Sequence, residues 1–189
     1  MRERARDAFD VGGQWGVILD VIKRVLTDDI DDASLERMGQ WPWPRSRIAD
    51  LVDRLTAAGV AAIGFDVMFA EPDRTSPKAI ADLWQLRGGL RGEVLALPDH
   101  DQVLADSLKK ADAVLGFAVE RTAAVPGARL PLGKAAFVNL GEAQTDWLHP
   151  FAGAIPSLPG LEAAAKGNGA LTFVPDRDGV VRRVPLALR

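Results

Sequence analysis

Trp41-Pro42-Trp43-Pro44-Arg45-Ser46 opens a stretch that runs through Val60-Ala61-Ala62-Ile63-Gly64-Phe65-Asp66-Val67-Met68-Phe69 and closes in Ala70-Glu71-Pro72-Asp73. A residue that precedes proline is pushed out of the α region, so Trp41 and Trp43 are predicted extended. Ser46 then stands where a helix cap is wanted. Ile48, Leu51, Val52 and Leu55 recur at steps of three and four, opposite Asp50, Asp53 and Arg54, and Gly59 ends the pattern. That is an amphipathic helix. Val60 to Phe69 shows no polar alternation apart from Asp66, the pattern of a strand buried on both faces in a parallel sheet.

The unit recurs downstream. Pro98 and Asp99 introduce a helix carrying Val103, Leu104, Leu108 and Ala111, and Val114-Leu115-Gly116-Phe117-Ala118-Val119 follows as a second apolar strand. Two helix-to-strand units predict an α/β single domain with a mostly parallel central sheet flanked by helices. Between them, Glu71 to Leu97 reads as an excursion, with turn-forming Pro72, Pro77, Gly88, Gly89 and Gly92 around a helical piece from Ala79 to Leu86. Beyond Glu120 the sequence predicts a strand at Ala135 to Leu140 and a loop-rich stretch from Pro150 to Gly160. Leu171 to Val174, the turn Pro175 to Gly179, and Val180 to Leu188 complete a C-terminal antiparallel β-hairpin. Upstream, the periodic Val17, Ile18, Val21, Ile22 and Val25 fit a helix, while their β-branching equally allows a strand from Val21 to Ile30. Asp31 or Asp32 caps a helical turn through Leu35 to Met38, with Gly39 as its left-handed exit.

A chain of 189 residues is the size of one domain, and 48% hydrophobic with 26% charged residues is the composition of a folded globule. A net charge of −3 offers no basic field for phosphates, so a nucleic-acid partner is not expected. There is no cysteine, hence no disulfide and no thiolate ligand or nucleophile. The apolar run Trp15 to Leu26 is interrupted by Asp20, Lys23 and Arg24, too short and too charged to span a bilayer. A signal-peptide pattern is not expected either.

Four motifs in order, roughly between Val25 and Leu188, resemble the CHASE-type-2 domain. They are Asp29-Ile30-Asp31-Asp32-Ala33-Ser34-Leu35, the Trp-Pro-Trp-Pro-Arg-Ser run, Gly64-Phe65-Asp66 leading to Phe69-Ala70-Glu71-Pro72-Asp73, and Pro175-Asp176-Arg177-Asp178-Gly179-Val180-Val181-Arg182-Arg183-Val184-Pro185. One departure is the polar Thr27 and Asp28 just before the first motif, where the family is usually apolar. The resemblance implies a bacterial extracytoplasmic sensor on the periplasmic face of the inner membrane. It also implies one membrane helix before the domain and several after it, leading to a cytoplasmic cyclase, histidine kinase or Ser/Thr kinase. Residues 1–189 are then one sensor domain that is not itself an enzyme.

Asp31 and Asp32 follow the candidate first strand, and Asp66, Glu71 and Asp73 lie in or just after the second. If those strands are adjacent and parallel, the carboxylates meet at the sheet edge where open α/β folds bind ligands. Carboxylate oxygens suit a hard cation or a cationic small molecule. The plainer reading has Asp31 as a helix cap, Asp66 bonded to nearby backbone, and Glu71 and Asp73 as turn residues. A carboxylate within an apolar strand is costly unless paired, and Arg45 is the candidate partner of Asp66. Trp41 and Trp43 serve either as an aromatic wall for an organic cation or as anchors on the core.

Asp176-Arg177-Asp178-Gly179 begins like a calcium loop, yet no acidic residue follows for the twelfth position, so a hairpin turn is expected. His100 and His149 are the only histidines, without a His-x-x-x-His pair, and His100 is expected to be exposed. No cofactor is expected. Two further readings stand beside a sensor for a small-molecule or ionic ligand: a ligand-independent homodimer or interaction module, and a metal-dependent hydrolase using Asp31, Asp66 and Asp73.

Overall fold

The computed structural model describes residues 30–120, 129–134, 148, 150–173 and 176–181. Within them the chain forms α1 (Asp32–Met38), α2 (Arg45–Ala57), β1 (Ile63–Gly64), α3 (Pro77–Leu83), α4 (Gly88–Leu95), α5 (His100–Leu108), β2 (Ala113–Glu120), β3 (Gly153–Ile155), α6 (Pro159–Ala164) and β4 (Gly167–Ala170). β2 is the central strand. β1 joins it in parallel with Ile63 opposite Ala113, β4 joins it in parallel from Val114–Gly167 to Phe117–Ala170, and β3 runs antiparallel along Ala118 to Glu120. The α/β class and the mostly parallel sheet are those read from the sequence.

The predicted stripe of α2 supplies the core directly: Ile48, Leu51, Val52 and Leu55 are all buried. They pack with Leu104 and Leu108 of α5, Ile63 of β1, Leu115 of β2 and Leu161 of α6. A helix whose apolar residues share one face must cover a sheet or another helix, and α2 does both.

Four expectations are corrected. The strand read over Val60 to Phe69 pairs only at Ile63–Gly64, and the last parallel bond runs from Phe65 N to Val114 O. Past it the chain leaves the ladder, and Asp66 is exposed instead of buried in a strand. The second is the turn-rich Gly88-Gly89 region, which forms α4, entered through Gly88 at φ 60°. Leu86 N bonds back to Ala81 O and closes the turn after α3, and Arg91 of α4 pairs with Asp82 of α3 across the two helices. The third is the stretch from Pro150 to Gly160, which contains β3 and the start of α6, where Pro159 takes the first helical turn. In the fourth, the last sheet strand among the described residues lies at Gly167–Ala170, and residues 171–173 of the expected first hairpin limb are not in a strand. The hairpin turn itself is present, with Asp176 N bonded to Val180 O. The return limb beyond Val181, the expected strand at Ala135 to Leu140, the segment Val17 to Val25 and His149 lie outside the described residues.

Two contacts set the register around β2. Gly116 is buried with no space for a side chain, because a Cβ there would stand 2.5 Å from Leu171 Cδ1. Glu162 of α6 is also fully buried, and it accepts from Arg129 Nη1 at 2.7 Å, Leu132 N at 2.7 Å and Asn168 Nδ2 at 3.3 Å. A buried carboxylate is tolerated only with such a full set of donors. It thereby holds residues 129–132 against α6 and β4.

Candidate functional site

In a parallel sheet the covering helices run antiparallel to the strands, so helix N-termini and strand C-terminal ends share one edge. The N-termini of α2 and α5 and the segment after β1 meet at this edge. Phe69 lies buried there beneath the Arg45 guanidinium, whose carbon is 4.6 Å from the ring centroid. That is close enough for a cation–π contact.

Asp73 is the hub. Its Oδ2 accepts from Arg45 N at 2.7 Å, the first helical residue of α2, and lies 3.2 Å from His100 Nδ1. Its Oδ1 accepts from Thr75 N at 2.7 Å and from Thr75 Oγ1 at 2.8 Å. Pro44 at the N-cap position contributes no side-chain cap, so Asp73 caps α2 from outside the helix. A carboxylate there also meets the positive end of the helix dipole. Ser46, the expected cap, is inside the helix.

Asp101 completes the arrangement. Its Oδ2 accepts from Asp73 N at 3.0 Å and its Oδ1 pairs with Arg45 Nη1 at 3.1 Å. Arg45 Nη2 donates to Glu71 O at 2.9 Å. His100 N donates to Ser76 Oγ at 3.1 Å, and Thr75 Oγ1 is 3.2 Å from His100 Nδ1. Asp99 caps α5 through the amides of Asp101 and Gln102. The loop from Glu71 to Ser76 is thus clamped between two helix starts.

The charges follow from this packing. Burial pushes the Asp73 carboxyl up, but the amides of Arg45 and Thr75, the Thr75 hydroxyl and the His100 ring together hold it below the ordinary carboxylate value. Burial also pushes Asp101 up, and there the Asp73 amide and Arg45 do not fully offset it, while Asp99 and Asp73 add repulsion. Burial lowers Arg45 against the opposing pull of Asp101 and Asp73. No buried side-chain polar atom among the described residues lacks a hydrogen-bond partner.

Of the residues singled out from the sequence, Arg45, Asp73 and Glu71 come together, Glu71 through its backbone oxygen. Arg45 pairs with Asp101 and not with Asp66, which corrects the expected bridge. Asp31 instead caps α1, accepting from Ser34 N at 2.8 Å and Ser34 Oγ at 2.7 Å, and this holds its pKa below the ordinary value. Trp43 is buried and donates from Nε1 to Gly39 O at 2.7 Å. Trp41 is half exposed and packs edge-on against Trp43 at 5.7 Å. The pair has the geometry of an anchor, with Trp43 the buried member.

His100 and Asp101 were not recognised from the sequence as site members, and His100 is half-buried instead of exposed. The signal available was topological: a second helix ahead of a parallel strand delivers its first residues to the same edge. Among the described residues no group of three or more His, Asp or Glu is arranged to hold a metal ion. No described helix is long and apolar enough to cross a membrane.

A family model described as the CHASE2 domain matches residues 4–189. No curated protein and no solved structure matches the chain.

Proposed function

The chain belongs to the CHASE2 family of extracellular sensory domains, and from that premise we propose that it is the signal-input module of a bacterial membrane receptor. It binds a small ligand on the periplasmic side and biases the arrangement of attached membrane helices, which pass the signal to a cytoplasmic cyclase or kinase. The observation that supports a ligand-responsive site is the Arg45–Asp73–Asp101 clamp, which couples two helix N-termini through one loop. A ligand moves an equilibrium only as far as it prefers one state. A cation that draws Asp101 away from Arg45 would prefer the open state of such a clamp. Asp99 and Glu71 lie exposed beside the clamp, as does Arg74 of the same loop.

The test is a thermal-shift titration of the chain with arginine, spermidine and calcium chloride, repeated on Asp101→Asn. A ligand that binds the folded state raises the melting temperature by mass action. A saturable shift with at least one probe that is lost in Asp101→Asn supports the reading. No shift with any of the three, or the same shift in both proteins, rejects a cation site at this edge.

A further inference from the structure

The excursion between the two helix-to-strand units carries a run of exposed large apolar side chains. Leu83 is 72% exposed and Trp84 66%, with Leu90, Leu95 and Leu97 also exposed. Only Pro77 and Ala81 of α3 are buried, and α4 buries no residue. A helix of eight residues with three glycines is marginal alone. Here it forms half of a hairpin with α3, linked to it by the Arg91–Asp82 pair at 2.7 Å. The hairpin tip is Leu83-Trp84-Gln85-Leu86-Arg87-Gly88-Gly89-Leu90, with Gln85 at φ 52° and Gly88 at φ 60° tightening the turn.

We propose that this hairpin is a lipid-docking element whose tip enters the headgroup region of an anionic bilayer. Exposed Trp and Leu beside Arg and Lys is the chemistry that partitions into a membrane interface. Charge selects the occupant. The hairpin Pro77–Leu95 holds three basic and two acidic residues, a net of +1 in a chain of net −3, which leaves −4 for the remainder, and its tip Leu83–Leu90 carries Arg87 with no acidic residue. An anionic surface attracts the hairpin and repels the rest of the domain, which orients the molecule tip-first. A second copy is the weaker occupant, since a two-fold contact between hairpins would set like net charge, and Arg87 of each tip, against its equivalent. This inference is independent of any ligand at the Arg45–Asp73–Asp101 clamp.

Co-sedimentation of the 189-residue chain with phosphatidylcholine vesicles and with equimolar phosphatidylcholine–phosphatidylglycerol vesicles tests it. Wild type should bind the anionic vesicles at least tenfold better than the neutral ones. Leu83→Ser/Trp84→Ser should lose that binding while keeping the wild-type melting temperature, and Arg87→Glu should weaken it severalfold. A blue shift of tryptophan emission on anionic vesicles should vanish in Trp84→Phe. Equal binding by wild type and the double variant, or no binding to either vesicle, overturns the proposal. So does a wild-type dimer in buffer that the double variant converts to monomer without any vesicle binding, which would identify a self-association face instead.

Discussion

The Asp73 carboxylate lies 2.7 Å from the backbone nitrogen of Arg45, 28 residues earlier in the chain, and caps a helix that has no cap of its own. The same residue offers its backbone N–H to Asp101 at 3.0 Å. One residue therefore links the starts of α2 and α5, and this link carries the site.

Replacing Asp73 by Ala removes a cap on α2, two bonds to Thr75 and the contact with His100. A lost cap costs ~1 kcal/mol and hydrogen bonds to a charged group ~1.5–3 kcal/mol, so the variant is expected to lose about 2–4 kcal/mol in urea unfolding. A loss under about 0.5 kcal/mol, the range of an unremarkable surface change, would mean that Asp73 holds nothing together.

Asp66→Leu should leave stability unchanged within about 0.5 kcal/mol, because Asp66 is exposed past the end of β1. A large loss in chemical denaturation would restore a structural role to Asp66 and dispute the pairing of Arg45 with Asp101.

The two clamp carboxylates respond to pH with opposite sign. Asp73 has a folded pKa below its ordinary 3.8, so its contribution is present above that value and is lost as pH falls through the lowered one. Asp101 has a folded pKa above 3.8, so its contribution is complete below that value and declines as pH rises through the raised one. In urea midpoints measured against pH, Asp73→Asn should flatten the acid limb below 3.8. Asp101→Asn should change the curve above it. Identical curves for both variants and wild type would contradict these assignments.

Gly116→Val should be strongly destabilising, since even a Cβ would meet the Leu171 side chain at 2.5 Å. Overpacking of this kind costs about 1–3 kcal/mol. Leu171→Ala in the same chain should recover part of that loss, and failure of the second change to recover any would place the strain elsewhere.

Much of the core was readable because periodicity reports burial directly. Ile48, Leu51, Val52 and Leu55 share one face and are buried together. Of the two candidate caps Asp31 and Asp32, Asp31 is the one that caps, and Asp99, which with Pro98 introduces α5, caps that helix. Asp66 misled because its apolar neighbours imitate a two-faced strand, although pairing stops at Gly64 and composition does not record where a ladder ends. The glycines of α4 misled similarly, since a hairpin partner overrides propensity. The Arg45–Asp101 pair spans 56 residues and depends on two helices reaching one sheet edge, which only the assembled topology specifies. The family motifs marked Arg45, Glu71 and Asp73 but not the α5 half of the clamp.

A double-mutant cycle on Arg45 and Asp101 tests the clamp most directly, using Arg45→Met and Asp101→Leu singly and together in urea unfolding. Removing one partner leaves the other charge half-buried, whereas removing both does not. The double variant should therefore be more stable than the sum of the single losses predicts, by about 1–3 kcal/mol. The parallel cycle of Arg45→Met with Asp66→Leu should be additive within about 0.5 kcal/mol. Additivity for Arg45 with Asp101, or coupling of Arg45 to Asp66 in its place, would contradict the account.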